Sequence, residues 1–454
     1  MKVIHVSFCF APDPFGGTEV YVANLARDLQ GLGVEVMVAA PSEASRVYTI
    51  DGLRVRRYAV DSRITDVIEL YGPGDALAAT EFARILDEEM PDVVHLHAFT
   101  RGVSLRLVQA AKERGIPVVF TYHTPTVSCQ RGTLLLWGKG ICDGRLDITR
   151  CAGCTLNGLG IYAPLAAQLS RLSPGVGSWL GERGLQGGLW TALRMSELIS
   201  VRHAGFRQLA AEVDHIVAVC QWVQELILLN DVPAAKVSLS RHGINWTRSQ
   251  TPTPTESSAL GETRLAFVGR FDSTKGLHVL IKAFKMAPAL KATLDVYGVV
   301  QGPASAAYQK EMRALADGDP RISFQDPLAP QDVVPRLRQY DFLAIPSEWL
   351  ETGPLVALEA FAAGIPVIGW ERGGLNEIVQ HGVNGLLIEP GAVVGWVETL
   401  RRVARDANLR AQLKDGVRPP RTGVEVAREM LAIYESLLTR ESTLRVEHAA
   451  EKLS

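Results

Sequence analysis

The chain of 454 residues is 47% apolar and 21% charged, with a formal net charge of −2, which gives it the size of two ordinary domains and the composition of a soluble globular protein. This balance excludes a disordered chain and leaves no broad electrostatic case for nucleic acid or an anionic membrane, so a basic site must be local. The opening MKVIHVSFCFAPD holds one lysine and a short apolar run broken by Pro12 and Asp13, and reads as a first strand, not a secretory leader. No apolar run reaches the length of a spanning helix. The expectation is a cytoplasmic protein with reduced thiols and no disulfides.

Residues 3–10 read as a buried strand, followed by Gly16-Gly17 and an amphipathic helix to Leu29. A glycine pair between strand and helix lets a ligand approach backbone N–H groups, although a plain tight turn would look the same. After the hairpin signal Ile50-Asp51-Gly52-Leu53, helix 75–89, strand 92–98, helix 102–114 and strand 117–123 alternate. Alternation of this kind implies a parallel sheet with helices on both faces and ligands at the carboxyl ends of the strands. His97 and His123 sit at such ends, and His97 reads better as a structural residue than as a ligand.

Residues 125–193 break the alternation as an insertion in the first domain. Four of the six cysteines lie there: Cys129, Cys142, Cys151 and Cys154. The Cys151-Ala-Gly-Cys154 knuckle favours a four-thiolate structural Zn2+ over disulfides or idle thiols, with the first two spacings longer than those of a regular ribbon. Four thiolates leave no open position for catalysis. Cys9 and Cys220 read as core. Residues 156–193 carry only Arg171, Glu182 and Arg183 as charges, as expected of a glycine-rich lid or of a surface that meets lipid. Composition does not separate the two.

The alternation resumes with helix 194–212, strand 215–220, helix 221–229 and strand 237–241, ending in His242-Gly243-Ile244-Asn245. A Thr/Ser/Pro-rich run, 247–262, reads as a linker between a first domain, 1–246, and a second, 263–423. The second opens with a strand and then Gly269-Arg270-Phe271-Asp272-Ser273-Thr274-Lys275-Gly276. Arg270 and Lys275 stand at a strand end before a helix, where two cations can converge on a diphosphate; solvated loop charges are the alternative. Strand 293–298, helix 304–316 and strand 321–325 follow.

Strand Phe342–Ile345 then leads through Glu348, Trp349 and Glu351 into a helix with Thr352-Gly353 as its expected cap and Pro354 at its first position. Such a start offers free N–H groups to an anion. Glu351 and Glu359 frame it, and a carboxylate suits a vicinal diol. A bare pair at that spacing is most often merely solvated. Helix 424–438 and a charged tail, 440–454, expected to be mobile, close the chain.

The stretch IPSEWLETGPLVALEAFAAGIPVIGWERGGLNEIVQHGVNGLLIEP resembles the donor-binding core of retaining glycosyltransferase family 4, with VGR-x4-KG upstream matching that family's diphosphate clamp. The resemblance implies the α/β GT-B fold, two Rossmann-like domains facing a central cleft, with helix 424–438 returning to the first. It implies a sugar transferred from a UDP- or GDP-sugar to a saccharide or lipid-linked acceptor, in polysaccharide or glycolipid assembly, without a catalytic metal.

On that resemblance, Arg270 and Lys275 hold the diphosphate, Glu359 the ribose and Glu351 the donor sugar, helped by the N–H groups of Gly353 and Leu355. His123 meets the sugar at the reaction centre, Gly16 and Gly17 border it, and segment 156–193 serves the acceptor at the inner face of the membrane. Asp317-Gly-Asp319 looks like the metal motif of the other large glycosyltransferase fold but lies away from this site. Three departures stand out: His242 replaces an asparagine, Gly298–Gly302 replaces a short glycine turn, and Gln325-Asp326-Pro327 replaces a glycine near the base. Sugar-nucleotide epimerisation or hydrolysis, and a non-catalytic binding module, are the rival functions.

Overall fold

Alternating strands and helices build two parallel sheets in a computed structural model that describes residues 1–13, 16–61, 63, 68, 72–185, 187–246 and 262–451, with residues 441–451 described by backbone alone. The strands of the first half are β1 (Lys2–Val6), β2 (Glu35–Ser42), β3 (Arg46–Ile50), β4 (Leu53–Ala59), β5 (Val93–Leu96) and β6 (Val118–Tyr122). A small antiparallel ribbon follows, β7 (Leu135–Leu136) with β8 (Gly140–Ile141), and then β9 (His215–Ala218) and β10 (Val237–Leu239).

Among the described residues the first sheet has eight strands in the order β10-β9-β6-β5-β1-β2-β4-β3. All pairs are parallel except β3 with β4, whose hairpin turns at Asp51 (φ 48°) and Gly52 (φ 78°). Two successive positive φ values suit a two-residue hairpin turn, as the Asp-Gly pair predicts. Helices cover both faces of the parallel strands, so β5 and β6 are buried at every position and read as unbroken apolar runs rather than as alternation. The order reverses between β1 and β5, and that reversal places the carboxyl ends of β1, β5 and β6 around a crevice.

The second sheet comprises β11 (Thr263–Arg270), β12 (Ala292–Val299), β13 (Ile322–Gln325), β14 (Phe342–Ile345), β15 (Val367–Trp370) and β16 (Gly385–Ile388). Its order is β13-β12-β11-β14-β15-β16, a doubly wound sheet with its reversal between β11 and β14. One face packs Leu265, Phe284, Leu294, Ile368 and Trp396 into a single core. Trp396, fully buried, meets Trp370 edge-on with ring centroids 5.7 Å apart.

By contact, Met1–Ala11, Tyr21–Arg241 and Val424–Ser454 make one compact unit, and Pro12–Val20 with His242–Gly423 the other. The glycine pair 16–17 therefore groups with the second sheet. The expected linker, 247–262, lies outside the described residues apart from its last position. Helix Gly423–Glu451 takes in residues 440–451 of the expected tail. The sequence 424–451 has no proline or glycine to stop a helix.

The insertion opens with the β7–β8 ribbon. It folds into helices Ile148–Gly158, Ala163–Leu169, Pro174–Glu182 and Gly188–Leu193, which pack Ala152, Leu156, Ala166 and Ala192 against Met195 and Ile199 of the next helix. No helix among the described residues is long and apolar enough to cross a membrane.

Trp396→Ala is expected to cost about 3–5 kcal/mol, the scale for deleting a large buried aromatic. Urea unfolding measures it, and a loss under about 1 kcal/mol would show that this core collapses around the gap.

Candidate active site

At the reversal of the second sheet two loops meet, one after β11 and one after β14. Their approach depends on Gly276, whose φ of 71° is left-handed and whose position would set a Cβ 1.9 Å from the Pro346 carbonyl oxygen. No side chain fits there. Asp272 shapes the first loop by accepting from the Thr274 amide at 2.8 Å and from its hydroxyl at 2.6 Å. Lys275 is thereby aimed at the second loop, where Nζ donates to Glu351 Oε1 at 2.6 Å.

Ser347 Oγ donates to the same oxygen at 2.8 Å. Burial pushes the Glu351 carboxyl up, but Lys275 and the Ser347 hydroxyl outweigh it and hold the group below the usual carboxylate range. Both partners are largely buried, so the pair is ionised and shielded from screening salt. The ammonium also lies 5.1 Å from the centre of the Trp349 ring. Sequence alone pairs neither Lys275 nor Ser347 with Glu351. Behind them, Gly374 N–H donates to the Glu351 carbonyl at 2.6 Å, and Gly373, at φ 59°, leaves room where a Cβ would come within 2.8 Å of that oxygen.

Arg270, the last residue of β11, donates from Nη1 to Gln301 Oε1 at 3.2 Å. It borders an open cleft of about 230 Å³ lined also by Phe271, Asp272, Ser273, Gln301, Ala304, Ser305 and Tyr308. Gln301 and Tyr308 carry no motif, and sequence reasoning missed them. Gly16 N–H donates to Glu19 Oε2 at 2.8 Å. A Cβ built on Gly16 would lie 3.9 Å from Arg270 Cδ, and one on Gly17 3.8 Å from Leu355 Cδ1, so the pair sits beside Arg270 and the following helix.

That helix spans Leu355–Ala362, and its cap differs from the one expected. Pro354, with an extended ψ of 111°, is the N-cap and not the first helical residue; Thr352 and Gly353 lie outside the helix. The first helical bond runs from Ala357 N–H to the Pro354 carbonyl at 3.0 Å, so the amides of Leu355 and Val356 form the open first turn. Gly353 contributes its carbonyl, which accepts from His242 Nδ1 at 3.0 Å. Burial lowers His242 to about 4, so a neutral ring fixes this turn, which gives the histidine its local role.

The Glu359 side chain, on the second turn, has no hydrogen bond or ion pair among the described residues, although the residue is only partly exposed. Burial alone pushes its carboxyl up to about 7. Two glutamates on one stretch of chain thus differ in ionisation, because only Glu351 has a cation.

In the first sheet, His123 follows β6 and is 5% exposed; its Nε2 lies 3.0 Å from His97 Nδ1. His97 is buried and bonded at both ring nitrogens. In the D-x-D motif, Asp319 pairs with Arg321 at 2.7 Å.

The four-cysteine zinc site is not formed. Cys129, Cys142, Cys151 and Cys154 line one pocket, yet among the described residues the one group whose ligand atoms all lie within 4.8 Å is His5, His95 and His97. The Cys154 sulfur is turned into the β7–β8 ribbon, where it accepts from Trp137 N–H at 3.2 Å and donates to the Leu135 carbonyl at 3.6 Å. Burial raises the Cys142 thiol and pushes Cys151 up to about 11, which opposes thiolate formation. None of the six cysteines forms a disulfide. The four sulfurs line one pocket without converging as a ligand set.

Comparison with known proteins agrees with this architecture. Residues 254–418 match the family model of glycosyl transferases group 1, and residues 16–241 that of the glycosyl transferase 4-like domain. A D-inositol 3-phosphate glycosyltransferase of Salinispora tropica is 32% identical over 433 residues, spanning 88% of this chain and 76% of the relative. The structure of Anabaena HepE in complex with UDP and glucose superposes with a TM-score of 0.62 at 15% identity, over 96% of this chain and 100% of the other. Sucrose-phosphate synthase of Thermosynechococcus elongatus gives 0.63 at 16%, over 97% and 99%. These two likenesses concern the GT-B fold.

The raised Glu359 carboxyl has a sign in stability. Its folded value, about 7, lies above the ordinary 4.5, so the folded protein binds the proton more tightly and loses stability as pH rises between them. Glu359→Gln is therefore expected to exceed the parent in stability above about pH 7, by about 1–3 kcal/mol, with the gap closing toward about pH 4.5. Urea titrations across that range test it; a gap independent of pH would rule out a buried, uncompensated carboxyl.

Proposed function

Because the chain belongs to glycosyltransferase family 4, we propose that it transfers a sugar from a UDP- or GDP-sugar to an acceptor hydroxyl with retention of configuration and without a catalytic metal ion. The observation that carries this is the convergence of Lys275, Glu351 and Ser347 beside Arg270 and an open helix start. Lys275 and Arg270 supply positive charge where the leaving diphosphate gains negative charge, and the amides of Leu355 and Val356 add donors. Both cations are held in place before a ligand arrives, Lys275 by Glu351 and Arg270 by Gln301, so little reorganisation is needed as charge develops.

A carboxylate has lone pairs to spare, so Glu351 can position Lys275 and still accept from a donor-sugar hydroxyl. Glu359, whose side chain has no partner among the described residues, suits the ribose diol. The acceptor hydroxyl attacks the anomeric carbon from the face that the diphosphate leaves. The bond from that carbon to diphosphate oxygen breaks, and the diphosphate takes the acceptor's proton. Product glycoside and nucleoside diphosphate then separate with the anomeric configuration kept.

For the acceptor, two observations point to different classes. The name of the Salinispora relative favours a sugar phosphate. A lipid-linked saccharide is favoured by segment 156–193, where Leu159, Tyr162, Leu165, Trp179 and Leu189 are each at least half exposed with few charges between them. Burial of several such side chains at roughly 1.5–3 kcal/mol each suffices for reversible attachment to a bilayer surface.

The deciding experiment offers UDP- and GDP-sugars with both acceptor classes and reads product anomeric configuration by NMR. Donor turnover without any acceptor would favour epimerisation or hydrolysis, and donor binding without product a non-catalytic module. Arg270→Ala or Lys275→Ala is expected to lower turnover by roughly a hundredfold, the scale for one lost charge stabiliser. Excess EDTA should leave the parental rate unchanged, and a requirement for added magnesium or manganese would overturn the metal-free step.

For the acceptor surface, Trp179→Ser with Leu189→Ser is expected to abolish liposome co-sedimentation and transfer to a lipid-linked acceptor while sparing donor hydrolysis. Leu180 is unsuitable, since it is buried. Unchanged sedimentation would discard the lipid reading.

A further inference from the structure

The first sheet carries a line of imidazoles that sugar transfer as described above does not use. β1 and β5 pair with His5 opposite His95, and strand alternation puts His97 on the same face as His95. His5 Nδ1 lies 2.9 Å from His97 Nε2, and His97 Nδ1 lies 3.0 Å from His123 Nε2. His95 stands beside the line with both nitrogens engaged, by Tyr434 Oη at 2.6 Å and Thr121 Oγ1 at 2.7 Å. Although His5, His95 and His97 satisfy the distances of a metal site, both nitrogens of His95 and of His97 are spent on these bonds.

Burial lowers His5 to about 3 and takes His95 and His97 well below the ordinary histidine range, where the neighbouring imidazoles lower the two further. All three are therefore neutral at physiological pH, and each neutral ring has one N–H and one lone pair. A line of such rings can point in one of two senses only. If the hydrogens run from His123 toward His5, the line ends in an N–H at His5 Nε2. If they run from His5 toward His123, that atom is a bare lone pair. His5 is fully buried, and its Nε2 has no hydrogen-bond partner among the described residues. A buried N–H without an acceptor is the rarer and costlier defect. The second sense is favoured.

We propose that His5 and His97 are positioning residues that fix His123 as the tautomer with its hydrogen on Nδ1, a preset hydrogen-bond donor to an oxygen of the sugar substrate. The substrate contact rests on the transfer reading above; the tautomer does not. In this form Nδ1 has no lone pair for a proton, and Nε2 is occupied by His97. His123 then orients an oxygen and does not act as a general base, which leaves the acceptor's proton to the diphosphate.

The test is the tautomer itself, read at neutral pH from imidazole nitrogen shifts and two-bond couplings of protein labelled with 15N-histidine, with His123→Asn to assign the signal. His123 is expected as the Nδ1–H form, moving to the Nε2–H form in His97→Leu. With donor and acceptor present, His97→Leu should lower kcat about tenfold with donor KM little changed, the scale of one lost orienting bond. His97→Asn places an amide nitrogen near the position of Nδ1 and should restore kcat to within a few-fold.

An Nε2–H form of His123 in the parent protein overturns the proposal, whether or not the variants fold, as does parental kcat in a folded His97→Leu. If the Nδ1–H form is found but no donor and acceptor pair gives product, the tautomer lock stands and the transfer reading fails.

Discussion

The second half of the protein depends on one ion pair, Lys275 with Glu351 at 2.6 Å. It joins the loop after β11 to the loop after β14, the two strands between which the sheet reverses its order. Parallel strands beside such a reversal send their connections to opposite faces and open a crevice at their carboxyl ends. The pair bridges that crevice only because Gly276 lets the backbone of one loop touch the other at Pro346. Removing one partner of a buried pair leaves the other charge stranded, which costs more than the pair itself contributes. Geometry and charge are thus set by the same contact.

A consequence is the contrast between the two glutamates of this stretch. Glu351 is ionised because Lys275 and Ser347 compensate its burial; Glu359, eight residues on, has no such compensation and is held near neutrality. The difference is one of environment, since the side chains are identical. An ionised acceptor fixed beside a cation suits a site where charge develops, and an unpaired carboxyl awaiting donors suits a diol that arrives with the ligand. The Gly373-Gly374 turn supports the arrangement from behind by bonding the Glu351 backbone.

The first sheet solves a different problem. Its crevice-facing strands carry His5, His95, His97 and His123, polar groups in positions where burial excludes water. Burial holds His5, His95 and His97 neutral; His5 and His123 bond to His97, and Tyr434 of the final helix and Thr121 bond to His95. A neutral network of this kind is rigid because each ring's orientation constrains the next. The insertion, by contrast, keeps a small core of its own and leaves several large apolar side chains outside it.

The sequence by itself determined the element types, both parallel sheets and the hairpin at Asp51-Gly52, because these follow from local periodicity and from backbone angles that few residues tolerate. It also marked Arg270, Lys275, Glu351 and Glu359 as one constellation, through the resemblance of the two motifs that carry them to a known family and not through their spacing alone. Only the tertiary structure decided which charges meet. It gave Lys275 to Glu351 and left the Glu359 side chain without a partner among the described residues, placed Pro354 before the helix with His242 anchoring the Gly353 carbonyl, and turned Cys154 into the ribbon. Each of these outcomes depends on contacts between residues far apart in the chain, and spacing along a sequence does not record which side chains packing will bring within 3 Å.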